Sequence, residues 1–357
     1  MLGTDTAGAD AVRLLEYAGH SVTALLTVSG GEILRAVDFL KVGTDALLVS
    51  GDTDAFFEEI KARYSLPPDF PKKDALVGTL RPGYVFEAED IIFMIAFKLN
   101  VGFIERTAIP ALNSKQKTFY ATVLFKTFGE TAEHLRELLA ECIRNKNRIA
   151  VNVVEFPHRE CEVRIRYSNK TNREALDALA IKISAILEDC AYSGKPATLP
   201  ETVSELLKQR GQKVCVAESF TGGGIARALI SVPGASRIVK EGIVSYSNES
   251  KIYRLNVEQG IIEKFGATSI ETAYEMAANL LYENPDCAYA VATTGNAESV
   301  NGAPPSFLVA SGDQNGIHIY RYDFEGTRNE VIEFGVKAAL FRLCKKITES
   351  SFQQDNQ

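Results

Sequence analysis

The sequence predicts an α/β protein, and three observations predict it. Apolar strand-like runs alternate with runs of helical period before residue 112 and again after residue 195, the pattern of sheets covered by helices. Between them, residues 118–190 run strand, helix, strand, strand, helix, the order of a small ferredoxin-like α+β module. At 357 residues the chain exceeds what one core ordinarily holds. Three domains are therefore expected, at residues 1–112, 113–194 (module and linker) and 195–357.

Taken in order, DTAGADAVRLLEYAGH (residues 5–20) places apolar residues at helical spacing and closes on Gly19-His20. SVTALLTV reads as a strand, GEILRAVDFLKVG as a helix, DALLVSGD as a second buried strand and FFEEIKARY as a helix. That alternation predicts a mostly parallel sheet. Residues 66–90 carry Pro, Lys and Gly without periodicity and are expected to be loop, while IIFMIAFKLNVGFI is expected to be strand-rich core.

In the middle part, TFYATVLFKTF alternates as a strand and GETAEHLRELLAECIRN follows as a helix. RIAVNVVEF and CEVRIRYS are two further strands, and NREALDALAIKISAILEDC is a helix. Tyr192-Ser193-Gly194-Lys195-Pro196 is expected to be the linker. TLPETVSELLKQRGQ then reads as a helix with Thr198 or a neighbour near its N-cap and Gly211 at its end. KVCVA is a short buried strand that feeds a glycine-rich turn and the helical stretch GIARALISV. A helix from about Ser269 to Tyr282, the strands CAYAVATTG, SFLVASG and GIHIYRYDF, and a last helix NEVIEFGVKAALFRLCKKI complete a layered domain.

A net charge of −7 without a lysine or arginine block argues against nucleic acid as a partner. The six cysteines (Cys142, Cys161, Cys190, Cys215, Cys287, Cys344) form no CxxC and no zinc-type spacing. They read as buried free thiols, which suits a reducing cytoplasm. No apolar run is long enough for a bilayer, so neither a membrane nor a leader segment is expected. Asp52 and Asp54 at a strand end could take a metal, but a capping role is the commoner one. No metal and no cofactor are expected.

The chemistry concentrates in Ala217-Glu218-Ser219-Phe220-Thr221-Gly222-Gly223-Gly224 and in Tyr246-Ser247-Asn248-Glu249-Ser250-Lys251. A serine where a strand feeds a helix lies beside free N–H groups and a positive dipole end, a place for an anion or an acyl-transfer oxyanion. Ser219 fits a nucleophile there, but from position alone an ordinary N-cap is the commoner role. The second run offers a phenol and an amine, which serve a serine nucleophile when no histidine is at hand. The four histidines, His20, His134, His158 and His318, lie near neither run. Lys251 acts as a base only if its pKa falls from about 10.4 toward neutrality; otherwise it is a solvated helix-start lysine. Thr221, Gly222 and Gly223 supply backbone N–H groups with little cover and are candidate substrate-binding groups, with helix–sheet packing as the plain alternative. Asn248 fits a turn anchor or a substrate contact. Glu218 is expected to hold the loop by accepting hydrogen bonds.

AESFTGG, SVPGAS, GIVSYSNESK and GATSIETAYEMAANLL together resemble the C-terminal domain of the CinA (competence/damage-inducible protein A) family and its stand-alone relative, nicotinamide-nucleotide amidase. The resemblance is dense from about Thr202 to Ala292. It implies Ser219 as nucleophile, Lys251 as base and Tyr246 as proton relay or orienting group. It also implies nicotinamide mononucleotide, a small-molecule nucleotide, as substrate, and a homodimer. It places Thr294 and Gly295 on the cleft and Arg328 near a phosphate. Residues 1–112 resemble a shortened molybdopterin-binding-like domain without that domain's opening strand and acidic loop, so metal-dependent ADP-ribose hydrolysis is not expected of it.

The substrate rim departs from the family. Asn296-Ala297-Glu298-Ser299 stands where the family has Ile-Ala-Gly-Pro, and Pro304-Pro305-Ser306-Phe307-Leu308 where it has Lys-Pro-Val-Gly-Thr. Gly326-Thr327-Arg328 replaces Gly-Asp-Arg, Ile332 stands in place of a second arginine, and Phe220 in place of a small cysteine. Two functions stay open: an amidohydrolase converting nicotinamide mononucleotide to nicotinate mononucleotide and ammonia, and a pseudoenzyme serving as a nucleotide-binding or scaffold protein.

Overall fold

The structure, a computed structural model, describes residues 11, 12, 14–16, 18, 20, 22, 37, 46–50, 54–63, 84–88, 91–96, 101–115, 120–144, 149–300 and 302–354. Contacts divide the chain into two compact units, Met1–Val123 with Asn145–Val151 and Ile165–Ala180, and Leu124–Arg144 with Asn152–Arg164 and Ile181–Gln357. The strand expected at SVTALLTV, most of the helix expected at GEILRAVDFLKVG, and Asp52 fall outside the described residues, as does the side chain of Asp54.

The first unit contains β1 (Ala46–Ser50), α1 (Asp54–Arg63), β2 (Tyr84–Ala88) and β3 (Ile91–Ala96). The strands form a sheet of order β1-β3-β2, parallel between β1 and β3 and antiparallel between β2 and β3. All six residues of the central β3 are buried. Phe93 and Ile95 pack with Leu47, Ile60 and Phe86 on one face, while Ile92, Met94 and Ala96 pack with Phe103, Ile104 and Ala108 on the other. Two expectations are corrected here. Part of the loop expected at 66–90 is β2, held by register with β3 and by stacking of Phe86 on Phe93 at 5.0 Å. The strand-rich reading of IIFMIAFKLNVGFI holds only to Ala96. Residues Val101–Phe103, Ile104–Ala108 and Ile109–Lys115 instead run on as one helical stretch, α2, with a π-turn at its centre. Pro110 follows that turn, and a widened turn accommodates its missing N–H donor.

The middle of the chain forms β4 (Tyr120–Phe128), α3 (Ala132–Leu138), α4 (Ala140–Ile143), β5 (Ala150–Phe156), β6 (Glu160–Ser168), α5 (Arg173–Ile186) and β7 (Ala191–Ser193). Their sheet order, β5-β6-β4-β7, sets the last strand beside the first, as in a ferredoxin-like module. That last strand comes from the segment expected to be linker. Lys126 pairs with Ser193 and Thr127 with Ala191.

The rest of the second unit is α6 (Leu199–Arg210), β8 (Val214–Glu218), α7 (Gly224–Ile230), β9 (Val239–Val244), α8 (Asn248–Leu255), α9 (Gln259–Phe265), α10 (Ile270–Glu283), β10 (Tyr289–Asn296), β11 (Ser306–Asp313), β12 (Gly316–Asp323) and α11 (Arg328–Gln354). Helix α6 begins and ends as expected: Thr198 and Glu201 form a capping box, and Gly211 closes the helix at φ +62°. The five-stranded sheet has the order β12-β11-β10-β8-β9. β8 lies parallel to both β9 and β10, whereas β10, β11 and β12 are antiparallel neighbours. On one face Val214 and Val216 of β8 pack with Leu207, Leu229, Phe334 and Leu340; on the other Cys215 and Ala217 pack with Met276, Ala277 and Leu280. Burial on both faces explains why KVCVA is a continuous apolar run. It also brings the carboxyl ends of β8 and β10 together at one end of the sheet, where ligands of open α/β sheets bind.

Candidate active site

Ser219 is the first residue past β8. Its N–H donates to the carbonyl of Thr293 at 3.0 Å, which clamps the turn to β10. Gly222 and Gly223 then adopt φ +59° and +94°, a left-handed pair that turns the chain into α7 without Cβ strain. The buried carboxylate of Glu218 reaches around this turn. It accepts the N–H groups of Gly223 and Ile225 at 3.0 Å each and of Ala226 at 2.9 Å. Glu218 thus holds the loop, as expected, by satisfying the free amides of the helix start.

This arrangement decides what the glycine-rich turn can offer a ligand. The Gly223 amide is committed to Glu218, and the Gly222 amide donates to the Ser219 carbonyl at 3.1 Å. Among the described residues, the backbone N–H groups of Phe220 and Thr221 make no hydrogen bond. The Thr221 side chain is buried and meets Thr293 hydroxyl to hydroxyl at 2.7 Å. Phe220 points into the core, where its ring lies 4.8 Å from that of Phe307. Gly335 makes room for it, since a Cβ there would fall 2.4 Å from Phe220 Cζ.

Lys251 comes from α8. Ser247 caps that helix by accepting the Ser250 N–H at 3.1 Å, and the Lys251 N–H bonds the Ser247 carbonyl at 3.1 Å. The lysine side chain turns inward and is only 2 % exposed. Its Nζ lies 2.9 Å from Ser219 Oγ, 3.0 Å from the Ser245 carbonyl and 3.3 Å from the Tyr246 carbonyl. None of these partners is a carboxylate. Burial therefore pushes the lysine pKa down.

The three contacts suit either protonation state: an ammonium donates to all three oxygens, and the neutral amine that burial favours also fits. A neutral amine has two N–H donors and one lone pair. The two carbonyls can only accept, so they take both N–H groups, and the lone pair falls to Ser219, the one partner that can donate. Ser245 is fixed in turn by its N–H, which donates to the Glu218 carbonyl at 2.7 Å. Serine and lysine, 32 residues apart, thus stand at hydrogen-bond distance, an arrangement in which an amine can serve a hydroxyl as base.

Tyr246 does not join that pair through its phenol. The side chain is 64 % exposed, and its hydroxyl accepts from Arg328 Nη2 at 3.2 Å. Arg328 Nη1 donates to Glu298 at 2.9 Å. Tyr246, Arg328 and Glu298 form a second cluster, tied to the first through the Tyr246 carbonyl. Asn248 is the exposed first residue of α8, and the cap is Ser247. Thr294 is buried, with its hydroxyl donating to the Ala267 carbonyl at 2.7 Å. Gly295 lies against Phe307 in the β10–β11 pair, where a Cβ would meet the Phe307 backbone at 2.4 Å. Both fit a packing role. The carbonyls of Ser245 and Tyr246 and the amides of Phe220 and Thr221 carry no sequence signal, because any residue supplies them. Among the described residues, no group of three or more His, Cys, Asp and Glu side chains is placed to hold a metal ion, and no helix is long and apolar enough to cross a membrane.

Comparison with known proteins bears on this geometry. Residues 196–347, which contain all of these groups, match the CinA C-terminal domain. The "Putative competence-damage inducible protein" of Caldicellulosiruptor saccharolyticus is 33 % identical over 81 % of this chain and 69 % of its own length. The chain belongs to the CinA family. The protein of the same description from Caldicellulosiruptor bescii is 31 % identical over 78 % of the chain and 66 % of its own length. Among solved structures, a competence-damaged protein (CinA) superfamily protein from Klebsiella pneumoniae is 27 % identical, covering 42 % of this chain and 96 % of its own, with a TM-score of 0.40. The chain spans about two thirds of the length of these two Caldicellulosiruptor relatives.

Proposed function

We propose that residues 195–357 form a serine–lysine carboxamide hydrolase, and that nicotinamide mononucleotide, the substrate implied by the resemblance, is converted there to nicotinate mononucleotide and ammonia. One observation carries the reading: a buried lysine without a carboxylate partner lies 2.9 Å from the hydroxyl of a buried serine at the end of a parallel strand. A structural lysine is rarely buried in this way without an ion pair.

In the proposed sequence, the Lys251 amine takes the Ser219 proton as Oγ attacks the carboxamide carbon. The tetrahedral oxyanion is met by the N–H groups of Phe220 and Thr221, which have no other partner among the described residues. The Lys251 ammonium returns the proton to the amide nitrogen, ammonia leaves, and an ester on Ser219 remains. Lys251 then takes a proton from water, whose oxygen attacks the ester. The carboxylic acid departs as that proton goes back to Ser219, and it loses its remaining proton to solvent to give the carboxylate. Tyr246 contributes through its carbonyl, which helps hold the amine, and through its phenol at the rim. Thr221, Gly222 and Gly223 shape the turn, while Arg328 and Asn248, both exposed, are candidate substrate contacts. The homodimer and the cytoplasmic location implied by the resemblance and composition belong to the same reading.

Ammonia release from nicotinamide mononucleotide by the purified full chain tests it. Ser219→Ala and Lys251→Ala should each lower turnover by about 100-fold or more. Unchanged release from both variants would remove the assignment, and no release from the wild-type chain would favour the pseudoenzyme reading.

A further inference from the structure

We propose that Thr293 is a positioning residue for the reaction: its hydroxyl holds Thr221, and so fixes the backbone N–H groups that meet the tetrahedral oxyanion. This role rests on the Ser219–Lys251 reading and adds to it a residue from a neighbouring strand.

β8 and β10 run parallel, and their register sets Thr293 opposite Glu218, the last residue of β8. Thr293 is fully buried and reaches the turn beyond β8 twice. Its carbonyl accepts the N–H of Ser219 at 3.0 Å. Its hydroxyl meets that of Thr221 at 2.7 Å, one of the two donating to the other. A single residue of β10 therefore grips positions 219 and 221. The N–H groups of Phe220 and Thr221, which have no other partner among the described residues, lie within that span. Any residue supplies the carbonyl contact, whereas the hydroxyl contact requires Thr or Ser at 293.

The neighbouring groups are tied elsewhere. Glu218 holds the amides of Gly223, Ile225 and Ala226, and the Gly222 N–H is bonded to the Ser219 carbonyl. Thr221 itself is buried, with its methyl toward α11, since a Cβ at Gly335 would fall 3.5 Å from Thr221 Cγ2. Packing thus sets one flank of this side chain and the Thr293 hydroxyl the other. Valine at 293 keeps the shape of threonine and removes only the hydroxyl, which leaves the Thr221 hydroxyl buried without a partner. Charge on the oxyanion develops only in the transition state, so a shifted donor lowers kcat and leaves substrate binding nearly unchanged. The loss should be about 10- to 100-fold, less than or equal to that for deleting one oxyanion donor outright.

The test uses the full chain and two readouts. An alkyl fluorophosphonate phosphorylates an activated serine: Ser219 Oγ forms the bond to phosphorus as Lys251 takes its proton, fluoride leaves, and the phosphoryl oxygen occupies the place of the oxyanion. The rate of attachment to Ser219, followed by intact mass, should fall about 10- to 100-fold in Thr293→Val and in Thr221→Val, and no further when the two are combined. Thr293→Ser should return it to within about threefold of wild type. With nicotinamide mononucleotide, Thr293→Val should lower kcat by the same factor and leave KM within about twofold. Equal labelling of wild type and Thr293→Val, a loss that Thr293→Ser does not recover, additive losses in the double variant, a rise in KM at unchanged kcat, or no labelling of wild-type Ser219 would each overturn the role. The expected labelling pattern without ammonia release from the wild type would support the role and remove only nicotinamide mononucleotide as the substrate.

Discussion

Replacing Glu218 by glutamine should loosen the turn that carries Ser219, and the structure allows the loss to be worked out. The carboxylate is 1 % exposed and spends both oxygens: Oε2 on the N–H groups of Gly223 and Ile225, Oε1 on that of Ala226. A glutamine can place its carbonyl oxygen at one of these positions only. With that oxygen at the Oε2 position, its NH₂ faces the Ala226 N–H, donor against donor. One partly buried amide is then unpaired, at a cost of about 1–3 kcal/mol. The two remaining bonds change from charge-assisted to neutral, and the helix start loses its anion, which adds about 1 kcal/mol. A total of about 2–4 kcal/mol corresponds to a fall in melting temperature of roughly 4–15 °C. The chain contains no tryptophan, so far-UV circular dichroism is the suitable probe. A variant melting within about 1 °C of wild type would refute the claim that Glu218 holds this turn.

Turnover should rise with pH through the Lys251 pKa, which burial holds below its ordinary value, because only the neutral amine accepts the serine proton; a pH–rate profile without that rising limb would count against lysine as base. The stability linkage has the same sign: the folded pKa lies below the unfolded value of about 10.4, so stability rises between the two and is lost as pH falls through the folded pKa. Chemical denaturation of the wild type and Lys251→Met across that window should show the slope only in the wild type. Gly335→Ala should destabilise the chain by about 1–3 kcal/mol, because the added methyl falls 2.4 Å from Phe220 Cζ; Phe220→Cys in the same chain should recover part of the loss in a thermal melt.

Part of the site was legible in the sequence because its chemistry is local. A strand, a serine, two glycines and a helix predict a turn with a projecting hydroxyl, and Thr198 and Gly211 predict the ends of α6. The inward turn of Lys251 was only permitted by the sequence, since YSNESK fits a solvated lysine equally well; burial against Ser219 depends on β9 lying beside β8. The glycine-rich turn suggested an open anion cradle, whereas Glu218 fills much of it from five residues before Gly223. A long acidic side chain immediately ahead of such a turn is the signal for that. The phenol of Tyr246, expected beside the serine, instead meets Arg328, because the backbone at 246 turns its carbonyl toward the lysine. Strand β2 and helix α2 were missed for a different reason. A five-residue strand amid Pro and Gly is decided by pairing with β3, and an apolar run that stops at Ile104 shows little of the helix it opens, whose π-turn lies at Ile104–Ala108.

In the proposed hydrolysis Ser219 carries the acyl group. Partitioning with hydroxylamine tests it most directly, since an ester on Ser219 is captured as a hydroxamate in competition with water. Hydroxamate should form at the expense of carboxylate as hydroxylamine rises, with ammonia release undiminished, and Ser219→Ala should form neither product. Full ammonia and carboxylate yields with no hydroxamate at saturating hydroxylamine, retained in Ser219→Ala, would show direct attack by water and contradict it.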